Sequence, residues 1–364
     1  MIRGRSRSSA YPQATGEQAV SNLVLSVSPP NIGGMETRIL TRAEAHFRGY
    51  TDDEIQRAIK EGSLHRLTRG LYYTGELAED QQHLARALVA IEKLPPGSTA
   101  SHVSAAVLHG LPVGGMSLGI VHLTRAGATG RVAQSVHVHS ATLDRECVQD
   151  LCGVAVTTPA RTIVDVARMS HDDGVVLGDA ALRSRTTTFS ELKAALDDGR
   201  YRRGIGRARR AVAAMSERSE SPGESRSRLM FARRGVPRPL LQANVFAVDG
   251  EWIARTDFLW ERFGVVGEFD GLEKYRAAGA DTVVTEKKRE DRLRAAGWMV
   301  VRWTFEDLAN PAGLVRRLES RFEIGRRRPS HFSIDPLPTV SSPALSPLLL
   351  AYGVGEDWRS RAVS

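Results

Sequence analysis

The residues best suited to chemistry are carboxylates. Asp257 lies in the run Trp252–Trp260, and Glu268 and Asp270 flank Phe269 in the run Val265–Asp270. Both runs read as strands, joined by a turn near Glu261-Arg262-Phe263-Gly264. A loop centred between Arg262 and Phe263 sets Asp257 directly opposite Glu268. Directly opposed residues share a sheet face, with Cβ atoms about 5 Å apart. Asp270, two residues beyond Glu268, points the same way. Three like charges on one face repel unless a cation sits among them. Oxygen-only ligands suit Mg²⁺ or Mn²⁺, here held by Asp257 and Glu268. Such an ion binds a scissile phosphate and activates water.

Each acid also has a plainer reading. Ser221-Pro222-Gly223-Glu224 is a capping box, which by itself accounts for Glu224, although a supporting catalytic role stays open. Asp257 stands among apolar strand residues, where an unpartnered carboxylate is costly, and this favours function. Glu268 and Asp270 could be the polar positions of an edge strand. Lys274 follows and would stabilise charge developing on phosphate. A helix over Thr285–Ala296, closed by Gly297, offers Lys287 and Lys288 as further cations.

The elements that position these residues follow an α-β-β-β-α-β order. A helix opens at Ser221 and ends at Gly235. Strands follow over Leu240–Val248, 252–260 and 265–270. The 285–296 helix, a strand over Trp298–Trp303 and a helix from Thr304 complete the block, residues 221–323. We read residues 1–35 as a disordered arm and 325–364 as a disordered tail, because both are rich in Ser, Pro and Arg without periodicity. The fold class expected is mixed α+β, multidomain.

Residues 36–75 form a smaller block. Thr41-Arg42-Ala43-Glu44 and Thr51-Asp52-Asp53-Glu54 each signal a helix start, and Gly49 and Gly62 signal the stops. Leu64–Leu67 then runs extended to a turn at Arg69-Gly70 and returns through Leu71-Tyr72-Tyr73. This is the order of a winged helix-turn-helix, whose second helix and wing meet DNA. Arg57, Lys60, His65, Arg66 and Arg69 would make the contacts. Asp52, Asp53 and Glu54 would repel phosphate but suit the helix dipole, so spacing alone leaves DNA contact and protein docking both open.

Residues 76–215 read as an α+β connector, with a helix ending at Gly110, strands at Ile120–Thr124 and Val136–His139, and a helix starting at Pro159. Five histidines fall here: His102, His109, His122, His137 and His139. His137 and His139 share a strand face, which would permit a metal site, but no carboxylate or cysteine has matching spacing. The simpler expectation is satisfied structural histidines. Cys147 and Cys152 lack a second pair and read as inert thiols.

Composition sets the frame. The 364 residues suggest two or three domains. Hydrophobic residues at 41% and charged residues at 25% exclude a wholly disordered chain. Lys+Arg at 50 against Asp+Glu at 42 gives +8, which favours a polyanionic partner. Residues 200–240 hold twelve arginines, Arg207 and Arg210 among them, against three glutamates. That is a local +9, so the rest of the chain is about neutral. A polyanion on this band would bind with steep salt dependence. Two cysteines exclude a disulfide scaffold and suggest a reducing cytoplasm. No apolar run reaches the roughly 18 residues of a membrane span.

Two resemblances sharpen these expectations. The run ILTRAEAHFRGYTDDEIQRAIKEGSLHRLTRGLYYTGE resembles the N-terminal winged-helix domain of AbiEi-type antitoxins of type IV toxin–antitoxin systems. TASHVSAAVLHGLPV and TTPARTIVDVAR resemble the connector of the same proteins. The resemblance implies operator binding, autoregulation and a nucleotidyltransferase-like toxin as partner. RTDFLWERFGVVGEFDGLEKY and EKKREDRLRAAGWMVVRWTFEDL, with SPGESRSRL before them, resemble PD-(D/E)xK proteins related to very-short-patch-repair endonucleases. This implies a restriction-endonuclease-like fold, with Asp257 and Glu268 as metal ligands and Glu224 as a supporting acid. Where that pattern places lysine, this chain has Asp270. The expected function is therefore DNA interaction with Mg²⁺- or Mn²⁺-dependent phosphodiester hydrolysis. The alternative is a non-enzymatic antitoxin or regulator that uses the nuclease fold for binding.

Overall fold

A computed structural model describes residues 39–128, 130, 132–133, 135–151, 153–247, 250–271, 280–327 and 333–335. Lys274, Cys152, the arm 1–35 and most of the tail lie outside the described residues. The chain has mixed α/β architecture and divides into two compact units, with the boundary between Thr158 and Pro159. This boundary cuts the 76–215 stretch expected to be one connector, because its helical second half packs with the C-terminal unit.

In the first unit, β1 (Ile39–Thr41), α1 (Arg42–Phe47), α2 (Asp52–Glu61), β2 (His65–Thr68) and β3 (Leu71–Tyr73) form the helix–turn–helix and wing. The three strands pair in the order β1-β3-β2. Thr51 and Glu54 close the capping box on α2, and Gly62 ends it in the left-handed conformation at φ 76°. Ile55, Ala45, Leu64 and Tyr72 make the small core.

The unit continues with α3 (Glu79–Lys93), β4 (Thr99–Ala100), α4 (His102–Leu108), β5 (Val121–Arg125), β6 (Val132–Ala133), β7 (Val136–Ser140), β8 (Val148–Leu151) and β9 (Val154–Thr157). These strands form a six-stranded sheet in the order β6-β7-β5-β4-β9-β8. Two of its histidines are structural. His83 lies between the Leu118 carbonyl and the Ser104 hydroxyl, each at 2.8 Å, and His109 Nε2 meets the Thr157 carbonyl at 2.7 Å.

The second unit starts with four helices: α5 (Pro159–Met169), α6 (His171–Arg183), α7 (Phe189–Asp198) and α8 (Ile205–Ala214). It continues with α9 (Pro222–Arg234), β10 (Leu240–Phe246), β11 (Trp252–Trp260), β12 (Val265–Phe269), α10 (Ala280–Ala295), β13 (Met299–Trp303), α11 (Phe305–Ala309), α12 (Ala312–Arg326) and β14 (Ser333–Asp335). The five-stranded sheet runs β13-β12-β11-β10-β14. The α-β-β-β-α-β order expected from the sequence is present. β14 is additional: it pairs with Asn244–Phe246, inside the stretch read as an unstructured tail.

An aromatic core of Phe231, Phe258, Trp260, Phe269, Trp303 and Phe322 fills the space among α9, α12 and the sheet. Ion pairs tie α6 to α9. Asp179 is buried, and burial pushes its carboxyl up against the opposing pull of Arg228, which pairs with it at 2.6 Å. Arg226 pairs with Asp173 at 3.1 Å, and Arg233 pairs with Asp172. Among the described residues no helix is long and apolar enough to cross a membrane.

Candidate active site

A Gly at 223 lets α9 lie against β12. A Cβ there would meet Phe269 Cε1 at 1.9 Å, so a larger residue would push the helix start away. Ser221 caps α9, its Oγ accepting from the Glu224 N–H at 3.2 Å. Glu224 returns the contact, with Oε1 accepting from the Ser221 hydroxyl and Oε2 accepting from the Glu220 N–H. Oε2 also accepts from Gln242 Nε2 at 2.9 Å. Burial, followed by the charge of Asp257, raises the Glu224 pKa. The capping role read from the sequence is present, and the carboxylate is also coupled to the hairpin.

The hairpin register is the expected one. Phe258 pairs with Gly267, Leu259 with Val266 and Trp260 with Val265. One further step sets Asp257 against Glu268. Asp257 Oδ2 accepts from the Phe269 N–H at 2.9 Å, which ties the acid to the end of β12. Gly267, next to Glu268, leaves room for the aromatic core: a Cβ there would lie 2.6 Å from Trp303 Cη2. Glu268 is buried. Burial, then the charge of Asp257, push its carboxyl up to about 7 despite Arg289.

Two arginines that the sequence did not single out complete the site. In parallel register Glu268 lies opposite Arg302, and Gln242 falls at the skipped position between Leu241–Phe258 and Ala243–Thr256, opposite Asp257. Gln242, Asp257, Glu268 and Arg302 therefore form one row across four strands. Gln242 is buried and takes φ 54°, a conformation that costs a non-glycine residue free energy and recurs at functional sites. Arg289 on α10 donates to Glu268 at 2.9 Å and to Glu286 at 2.8 Å. Burial opposes the charge of Arg289, but these contacts outweigh it and raise its pKa. Glu286 stays ionised, at about 2, because the hydrogen bonds from Arg289 and Arg302 outweigh its burial. The helical spacing of Glu286 and Arg289 was a visible signal. Their approach to Glu268 required the fold.

Two expectations are corrected. β12 ends at Phe269, and Asp270 lies beyond it, its N–H donating to the Trp303 carbonyl and its carboxylate pairing with Arg302 at 3.3 Å. Among the described residues no trio of carboxylates is close enough to grip one ion, so the convergence of Asp257, Glu268 and Asp270 reduces to Asp257 with Glu268. Among the described residues the cation paired with Glu268 is Arg289, while Lys287 and Lys288 are exposed; Lys274 lies outside the described residues. The donor set still fits a hard divalent ion. Two coupled, oxygen-bearing acids occupy a site where burial leaves negative charge under-compensated.

The basic residues are placed as follows. Arg57, Lys60, His65, Arg66 and Arg69 are all exposed on α2 and the wing. The acids at the start of α2 are largely engaged: Asp52 pairs with Arg42 and with His46 at 3.1 Å, and Glu54 belongs to the capping box. In the arginine band, Arg210 is exposed, but Arg207 Nη1 donates to the carbonyls of Arg168 and Met169 at the end of α5. Arg202, Arg226, Arg228 and Arg233 pair with Asp198, Asp173, Asp179 and Asp172. Much of the local +9 is thus answered by aspartates from outside the band. A more compact basic feature is a 500 Å³ cavity lined by Arg302, Arg316, Arg317 and Arg321.

No known family profile matches the chain. It is similar, at 29% identity over 280 residues, to proteins from two strains of Mycobacterium tuberculosis, each named as uncharacterised. The match spans 76% of this chain and 98% of theirs.

Proposed function

We propose that the chain is a cytoplasmic DNA-interacting protein whose C-terminal domain hydrolyses phosphodiesters with Mg²⁺ or Mn²⁺. The carrying observation is the register that sets Asp257 against Glu268, coupled to Glu224. Asp257 and Glu268 would hold the ion, which when bound supplies charge to polarise a phosphate and lower the pKa of water. Glu224 holds the helix start against the hairpin through Ser221 and Gln242. Arg289 and Arg302 balance the acids, and the arginine-lined cavity beside β13 offers guanidinium groups to the phosphate backbone. The exposed cations of α2 and the wing supply a second DNA contact.

The second reading is a non-enzymatic antitoxin or transcriptional regulator, with a nucleotidyltransferase-like toxin as partner. Two observations favour it. Arg289 already pairs with Glu268 at 2.9 Å, and Asp270 stands where a catalytic lysine belongs.

Plasmid nicking with Mg²⁺ or Mn²⁺ separates the two. The enzyme reading expects wild-type nicking that is lost in both Asp257→Ala and Glu268→Ala. Salt-sensitive binding without nicking, or nicking that survives both substitutions, overturns it.

A further inference from the structure

We propose that His102, His122 and His139 form a binding site for zinc or a similar borderline divalent transition metal in the six-stranded sheet of the N-terminal unit. The three residues come from separate elements. In parallel register His122 of β5 lies opposite His137 of β7, and Thr124 lies opposite His139, so His122, His137 and His139 project from one sheet face. His102 reaches them from the first position of α4. One ring nitrogen from each of His102, His122 and His139 lies within 4.8 Å of the other two.

The geometry is close to that of a loaded site. His122 Nδ1 and His139 Nε2 are 2.9 Å apart. Two nitrogens bound tetrahedrally to zinc at roughly 2.05 Å would be about 3.3 Å apart. A movement of a few tenths of an ångström would admit the ion. The rings already share one space, with centroids of His102 and His139, and of His137 and His139, both 3.8 Å apart.

The surroundings have the character of a ligand shell. Coordinating histidines usually donate their second ring N–H to a neighbouring oxygen, which fixes the tautomer. His102 Nδ1 meets Ser101 Oγ at 2.9 Å, and Thr124 Oγ1 donates to the same oxygen at 2.8 Å. With the proton on Nδ1, Nε2 is the His102 atom that would bind the metal. His102 holds φ 53° to bring its ring here, a left-handed conformation uncommon for a non-glycine residue. Three neutral imidazoles suit zinc, nickel, cobalt or copper rather than magnesium, which prefers oxygen. His137, on the same face, or a water would complete the fourth position.

The test uses the full-length protein, stripped with a chelator and loaded with Zn²⁺ or Co²⁺ in excess Mg²⁺, so that the C-terminal carboxylates do not contribute. Metal analysis is expected to find one equivalent per chain after dialysis. Cobalt is expected to give the intense visible bands of a tetrahedral nitrogen-rich site. His139→Gln, half-buried and so unlike the buried His122, should lower affinity by more than the roughly 10–100-fold that a lost outer-shell partner costs, and Thr124→Val should cost about 10-fold. Asp257→Asn should leave the cobalt spectrum unchanged, which separates this site from the nuclease reading. The proposal falls if the stripped, folded protein retains no zinc, or if His139→Gln binds as wild type does. Should His139→Gln fail to fold by circular dichroism, the wild-type cobalt spectrum decides: weak octahedral bands overturn the site.

Discussion

Glu268→Gln tests the electrostatics of the hairpin site without removing volume. In the folded protein Glu268 holds its proton up to about 7, whereas its ordinary value is 4.5. Between these values the folded state binds more protons at this position than the unfolded chain. Stability contributed here is therefore present below about pH 4.5 and is lost as pH rises towards 7. At 1.36 kcal/mol per pH unit the loss is at most about 3 kcal/mol. Glutamine occupies the same space and does not titrate, and Arg289 keeps Glu286 as a partner. The variant should gain up to about 3 kcal/mol on wild type between about pH 5 and pH 8. Urea unfolding followed by tryptophan fluorescence measures this in the right domain, because all five tryptophans lie between Trp252 and Trp358. Added Mg²⁺ should stabilise the charged form of the wild type and reduce the difference. A pH-independent difference, or wild type gaining on the variant as pH rises, would refute the claim that burial and Asp257 outweigh Arg289.

Three more predictions address other parts of the chain. Arg161 pairs with Asp165 and Asp198, each at 2.7 Å, with only 3% of its side chain exposed. Arg161→Ala leaves Asp165 buried with one fewer partner and should cost about 3–5 kcal/mol, read from thermal melting. Gly223→Ala forces a methyl onto Phe269 and should cost about 1–3 kcal/mol, with nicking falling as the α9–β12 contact opens. Arg66→Ala combined with Arg69→Ala should weaken DNA binding evenly across sequences and reduce the slope of log affinity against log salt by about 2, measured by fluorescence anisotropy. An unchanged slope would turn the wing towards protein docking.

What could be read from the sequence was what depends on short separations. A turn of fixed length set the pairing of Asp257 with Glu268, and local caps marked the starts of α1, α2 and α9. Contacts joining distant segments could not be read that way. Glu268 meets Arg302 through a parallel pairing and Arg289 through a crossover helix, neither of which has a local signature. The arginine band looked like a free positive surface because three of its aspartate partners, Asp172, Asp173 and Asp179, lie some fifty to sixty residues upstream on α6. The three clustered histidines are spaced by no single periodicity. They meet because β5 and β7 run parallel while α4 begins at the same face. Asp270 was misplaced because the strand stops one residue before it.

The short strand β14 has a practical meaning for handling the protein. Its three residues cover the outer side of Asn244–Phe246. A fragment cut just after α12 would leave that backbone open as a template on which another chain's extended segment could assemble. Trimmed versions of the protein should therefore self-associate more readily than the intact chain, and a short peptide matching Ser333–Asp335 and its neighbours should reverse this in trans.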